Sequence, residues 1–192
     1  KISIHHLKKK KILTGLRASF RKLDLDYIDL VLLHRPVHHK ENWKLLEEAF
    51  NSDEFRGKIR FIGVSNFSVQ HLTDIIETCT IMPYANQIEV TPFLQKNNLV
   101  NFCEKHKIKV IAHSSLTRGE RLDNVVLCKL AKTIDCTPAQ LLLCWAINKG
   151  YCVIPRTTET SWIKENFDSK DVKLTDHIIE ELNKLNDGFT LF

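Results

Sequence analysis

The sequence predicts an α/β fold with a parallel sheet of TIM-barrel type, and three observations carry that prediction. Short apolar segments alternate with longer ones whose apolar residues repeat at helical spacing, the pattern of parallel strands joined by helical crossovers. The strand-like segments end on polar clusters, where a barrel collects its reacting groups. The Gly-x-Gly-x-x-Gly turn that a doubly wound dinucleotide-binding sheet places after its first strand occurs nowhere in the 192 residues. Periodicity alone leaves the doubly wound sheet and the barrel both open, and the missing turn favours the barrel.

Taken in order, Ile12, Leu16, Phe20 and Leu23 recur at helical spacing, so the preceding basic run Lys8 to Lys11 most simply faces water. Tyr27 to His34 is a near-continuous apolar run and reads as a strand covered on both faces. Asn42 to Phe50 reads as a helix, Ile59 to Ser65 as a strand, and Val69 to Thr78 as a helix capped by Ser68. After Met82-Pro83 come a strand at Tyr84 to Glu89, a helix at Asn98 to His106 and a strand at Lys109 to His113. The polar stretch Ser114 to Asn124 is the longest loop, followed by a helix near Val125 to Thr133. Thr137-Pro138 has the form of a helix start, with Thr at the N-cap and Pro in the first turn, opening a helix that Gly150 ends. Tyr151 to Ile154 is a fifth strand, and Ser161 to Phe167 and Thr175 to Leu185 are two more helices.

Composition excludes several classes. With 43% hydrophobic and 27% charged residues the chain reads as one globular domain spanning residues 1–192. Its richest apolar run, Leu141 to Ile147, falls far short of the roughly 20 residues that span a bilayer, so no membrane partner is expected. The net charge of +5 is modest, and its lysine run sits on a helix face, so no nucleic-acid partner is expected either. A start at Lys-Ile-Ser-Ile rather than Met reads as a fragment or a processed chain. The six cysteines form no Cys-x-x-Cys pair and several lie in apolar runs, as reduced core thiols do, which suits the cytosol. The pairs His5-His6 and His38-His39 have no ligand spacing, and no metal is assigned.

The strand ends carry His34, Ser65-Asn66, Gln87 and Glu89, His113-Ser114, and Arg156-Thr157. The blocks that contain them, LDLDYIDLVLLHRP, IGVSNFS, ANQIEVTPFLQ, VIAHSSLTRGE, TPAQLLLCWAINKG and VIPRTT, resemble the successive signature blocks of the aldo-keto reductases in order and spacing. The resemblance implies a cytoplasmic NADPH-dependent (NADP⁺-producing) reductase of a small-molecule carbonyl on a (β/α)8 barrel. It also implies that about five of eight βα units are present. The family's catalytic tyrosine and its aspartate partner belong to a segment upstream of the lysine, and none of Tyr27, Tyr84 and Tyr151 matches that block. A second reading from another class is a cofactor-binding or regulatory subunit without efficient turnover. Oligomeric state is not legible.

Residue by residue, the resemblance gives His34 as the histidine that polarises the substrate carbonyl and Lys1 as the lysine that lowers the pKa of the catalytic phenol. Ser65, Asn66 and Gln87 match the residues that hold the nicotinamide carboxamide. Ser114 and Leu116 match the loop around the pyrophosphate, where Arg118 and Arg121 suit an anionic ligand. Arg156, Thr157 and Asn166 match the adenosine end, and Glu165 an acidic residue beside the adenine. Guanidinium and hydroxyl together suit a ribose 2′-phosphate, hence NADPH. Three positions depart from the family: His113 replaces a tyrosine that stacks on the nicotinamide, Trp162 an arginine at the adenine, and Arg35 a tryptophan after the active-site histidine. Phe93 is expected to add apolar pocket surface.

Overall fold

The computed structural model describes residues 1–191. The chain divides into two compact units, residues 1–87 with 101–109, and residues 88–100 with 110 onward. Five parallel strands follow one another in the order β1-β2-β3-β4-β5.

The first unit opens with α1 (Ile4–Lys8) and α2 (Ile12–Leu23). Helix α1 is little more than a single turn, too short to show a period in the sequence. It carries His5 and His6, which are therefore on a helix rather than on a strand or loop. Helix α2 buries Ile12 and Leu16 as expected, whereas Leu23 at its end is exposed, and Lys8 to Lys11 all face solvent.

Strand β1 (Ile28–Leu33) pairs with β2 (Ile59–Ser65) in register from Ile28↔Ile59 to Leu33↔Val64. Between them α3 (His39–Asn51) packs down through Trp43, Leu46 and Ala49. The same helix buries Glu47, whose Oε1 accepts from the N–H groups of Thr80 (2.7 Å) and Ile81 (2.6 Å). A buried carboxylate is tolerated there because it satisfies the backbone of the turn leading to β3.

Helix α4 (Val69–Ile76) starts at Ser68, whose hydroxyl accepts from His71 N–H in a capping box, as its position before the apolar run predicts. Strand β3 (Ala85–Glu89) begins in this unit and pairs with β2 at Val64↔Asn86 and Ser65↔Gln87. The pairing is close enough to need a glycine: a Cβ on Gly63 would lie 2.6 Å from Ala85 O. Helix α5 (Asn97–Lys105) follows β3.

In the second unit, β4 (Lys109–His113) pairs with β5 (Cys152–Val153) at Ile111↔Cys152 and Ala112↔Val153. Strand β5 has two residues, fewer than the expected Tyr151 to Ile154. Gly150 turns the chain just before it, and Pro155, with no N–H to give a ladder, stands just after it. Helix α6 (Val125–Thr133) is capped by Asn124, and α7 (Pro138–Asn148) by a Thr137–Gln140 capping box. The α7 run Leu141 to Ala146 is buried all round, which its weakly amphipathic sequence requires. Helices α8 (Thr160–Asp168) and α9 (Asp176–Asn183) complete the unit, and Trp145 Nε1–H donates to Asn183 Oδ1 at 2.9 Å. Helix α8 buries none of its residues, leaving Trp162, Ile163 and Phe167 more than half exposed. None of the described helices is long and apolar enough to cross a membrane.

Candidate active site

In the first unit five of the predicted residues gather at the C-terminal ends of β1, β2 and β3. Ile2 forms a parallel bridge to Leu33, its N–H bonded to Leu32 O at 2.9 Å, and this pins the neighbouring Lys1 at the end of β1. The Lys1 ammonium donates to Gln87 Oε1 at 2.8 Å. Ser65, fully buried at the end of β2, donates its hydroxyl hydrogen to Gln87 O at 3.0 Å, and Asn66 N–H donates to the same carbonyl at 2.9 Å. Asn66 takes a left-handed backbone (φ 62°), which asparagine tolerates better than most residues. Its Nδ2 donates to Ser65 Oγ (3.1 Å) and to His34 O (3.3 Å). His34, one residue past β1, is thereby tied through its backbone to the group at the end of β2.

Electrostatics at this end favour neutral donors and a destabilised cation. Burial, followed by the charges of Lys1 and Arg35, holds the His34 imidazole below its ordinary pKa of 6.5. Burial, and then Arg35, also depresses the Lys1 ammonium. A neutral imidazole beside a cation suits stabilisation of developing negative charge on an oxygen. The three tyrosines lie elsewhere: Tyr27 precedes β1 and stacks under the Arg60 guanidinium, Tyr84 precedes β3 and stacks on Phe61, and Tyr151 precedes β5.

Asn86 is a site residue that the sequence motifs did not single out. It is fully buried, and its amide both donates to Phe67 O (2.9 Å) and accepts from Phe67 N–H (3.4 Å), which fixes the turn leaving Ser65-Asn66. Its signal is its place in the block ANQIE, one residue before Gln87 on the opposite face of the strand. Two of the thiols are held protonated, since burial pushes Cys103 and Cys136 up to about 11. Of the six cysteines, all unpaired, Cys103 and Cys144 are buried as expected of core thiols, whereas Cys152 is exposed.

In the second unit Leu116, Arg156, Thr157, Trp162, Glu165 and Asn166 line one cavity of about 610 Å³. Arg118, Leu122, Ala139 and Thr158 line it too, and of these only Arg118 stands out in the sequence. Ser114 and His113 lie outside that lining, at the end of β4, where the His113 ring nitrogen Nδ1 meets Ser114 Oγ at 3.0 Å. Glu165 is committed to α7: its carboxylate accepts from the Thr137 hydroxyl at 2.5 Å, and its backbone O accepts from Gln140 Nε2. The expectation that Arg121 faces an anionic ligand beside Arg118 needs correcting. Its guanidinium is paired with Asp187 and lies over the Phe93 and Phe189 rings.

A family model, the aldo/keto reductase family, matches residues 3–187. The chain belongs to the aldo/keto reductase family. It is 39% identical over 183 residues to a 9,11-endoperoxide prostaglandin H2 reductase of Trypanosoma cruzi, covering 93% of this chain and 63% of that protein. It is 38% identical over 180 residues to the methylglyoxal reductase DkgA of Escherichia coli, covering 91% of this chain and 64% of that protein. A crystal structure of the aldo-keto reductase AKR2E5 complexed with NADPH superposes with a TM-score of 0.87 at 28% identity, covering 97% of this chain and 62% of the other. The parallel α/β arrangement is thus of TIM-barrel type, and the chain spans less than two thirds of the length of these relatives.

Proposed function

We propose that this chain forms part of an NADPH-dependent aldo-keto reductase that converts small aldehydes or ketones to alcohols. The observation that carries the reading is the hydrogen-bonded group Lys1–Gln87–Ser65–Asn66–His34 at the ends of three adjacent strands. Two relatives named as reductases and one solved with NADPH support it. We further propose that the five strands are part of an eight-stranded closed barrel, since the share of each relative that the chain covers is what five of eight repeating units would occupy.

The residues fit a phosphorylated dinucleotide. The second unit's cavity is within the roughly 300–1,000 Å³ of ligand pockets, and it carries two guanidinium groups, two threonines and an indole. Arg156 with Thr157 would hold the 2′-phosphate, and Trp162 would cover the adenine where the family's arginine is absent. Asn166 lies beside them. Arg118, Ser114 and Leu116 belong to the loop that would follow the pyrophosphate.

When bound, the dinucleotide supplies a hydride to the carbonyl carbon. Ser65, Asn66 and Gln87 would hold the carboxamide of the bound dinucleotide by hydrogen bonds. With Oε1 taken by Lys1, Gln87 presents its Nε2 donor. His34 donates to the carbonyl oxygen and stabilises the charge that develops there. Lys1 contributes positive potential that lowers the pKa of a neighbouring general acid, which the family supplies as a tyrosine. Small carbonyls such as methylglyoxal are the first substrates to try, by analogy with the E. coli relative.

The test is to titrate the full-length protein with NADPH and follow its oxidation by absorbance over a panel of small aldehydes and ketones. Carbonyl-dependent oxidation is the expected result. Tight NADPH binding with no turnover across the panel would favour a regulatory subunit, and no binding would overturn both readings.

A further inference from the structure

Between β4 and α6 three residues, Ser114, Thr117 and Arg118, take left-handed backbone conformations, with φ of 57°, 50° and 52°. Residues with a Cβ are disfavoured there, and such conformations persist where the surroundings over-determine them. Hydrogen bonds within the loop supply part of that constraint: Thr117 N–H donates to Ser114 O (2.8 Å), and Arg121 N–H donates to Thr117 Oγ1 (3.1 Å). The Arg121 side chain leaves the loop. Its guanidinium lies 4.3 Å from the Phe189 ring centre and 5.4 Å from that of Phe93, and it meets the Asp187 carboxylate at 3.0 Å.

Asp187 and Phe189 belong to the segment after α9, which is itself fastened along its length. Gln95 N–H donates to Asn186 Oδ1 (3.2 Å), and Gly188 N–H donates to Phe93 O (3.0 Å). The buried Glu89 carboxylate accepts from the Thr190 hydroxyl (2.9 Å) and from Leu191 N–H (3.0 Å). Residues 186–191 therefore form a strap. The loop that Arg121 joins to it also supplies Leu116, Arg118 and Leu122 to the wall of the cavity. A cation held between two rings and a carboxylate is a specific anchor, since each contact alone is modest but all three act on one planar group.

We propose that Arg121 is a positioning residue, a latch through which the strap 186–191 holds the cavity wall closed and so sets how fast a bound dinucleotide leaves. This rests on the reading that the cavity takes the adenosine end of NADPH. Breaking the latch lets the strained loop relax away from its left-handed conformations and open the wall, with no change in the groups that face the ligand.

The experiment uses the full-length protein and Arg121→Ala, Asp187→Asn and the double variant. Two quantities are measured: the NADPH dissociation rate by stopped-flow fluorescence, and amide hydrogen exchange at residues 116–122 without ligand. Arg121→Ala is expected to speed release about tenfold, the combined size of one partly exposed ion pair and two cation–π contacts. Asp187→Asn should do less. The double variant should release no faster than Arg121→Ala, because both changes remove the same latch. Exchange at 116–122 should rise in the same order, which a purely global loss of stability would not confine to that loop. Unchanged release and unchanged exchange in these variants would overturn the latch. Failure of the unsubstituted protein to bind NADPH would instead overturn the reading of the cavity, and raised loop exchange would still support the mechanical link. Should Arg121→Ala not fold, Asp187→Asn, whose side chain is nearly half exposed, decides the question.

Discussion

The two units handle their polar residues in opposite ways. In the first, the site residues are bonded to one another: Lys1 to Gln87, Ser65 to the Gln87 carbonyl, Asn66 to Ser65 and to His34 O, with buried Asn86 bracing the turn beneath. In the second, the residues around the cavity are half-buried or exposed, and none is fully buried. Arg156 and Trp162 are exposed, and α8 buries nothing. Groups that must act on a developing charge gain from being oriented before the ligand arrives, because no reorganisation is then needed at the moment of reaction. Groups that only hold a flexible, charged ligand can be ordered by it. The contrast predicts that substitutions in the first unit alter the rate of chemistry, and those in the second alter affinity.

The largest effect should come from His34. In the full-length protein His34→Leu is expected to lower kcat for carbonyl reduction by roughly a hundredfold to a thousandfold while the NADPH dissociation constant changes little. Steady-state kinetics beside an equilibrium titration would show this, and a comparable loss in both would break the division between units. Next in size is Arg156→Ala, which should weaken NADPH about tenfold to a hundredfold through the lost charge-assisted contact but weaken NADH much less. Equal weakening of the two would remove Arg156 from the 2′-phosphate.

The smallest effect is a pH dependence. Since the folded-state pKa of His34 is depressed, the unfolded chain binds the extra proton first as pH falls. The His34 contribution to stability is therefore intact well above pH 6.5 and is lost as pH falls from there towards the folded pKa. His71 is depressed in the same direction, by burial and then by His39, so the slope has more than one source. Denaturant midpoints between neutral and mildly acidic pH should fall less steeply in His34→Gln than in the parent. Identical slopes would show that the imidazole at the end of β1 is not held neutral.

How much of this is legible in the sequence depends on the range of the interactions. Strands β2 and β4 and helix α6 have the boundaries read from their apolar runs, and the caps at Ser68 and Thr137 form as their local chemistry requires. The shortening of β5 follows from Pro155, a visible terminator of pairing that the apolar run outweighs on paper. Helix α1, little more than one turn long, leaves no periodicity to detect.

Periodicity, capping and signature blocks are local properties of the chain, and they are enough for the order and type of the strands and of the helices from α2 onward, and for the family. What the candidate residues touch was set by tertiary packing. Lys1 donates to Gln87 across 86 positions, Asn86 braces Phe67, Glu165 is bound to Thr137, and Arg121 turns from the expected anion to Asp187 and two phenylalanines. All are consequences of long-range contacts. A guanidinium suits a phosphate, a carboxylate or an aromatic face equally well on paper, and only the fold brings one of them within reach.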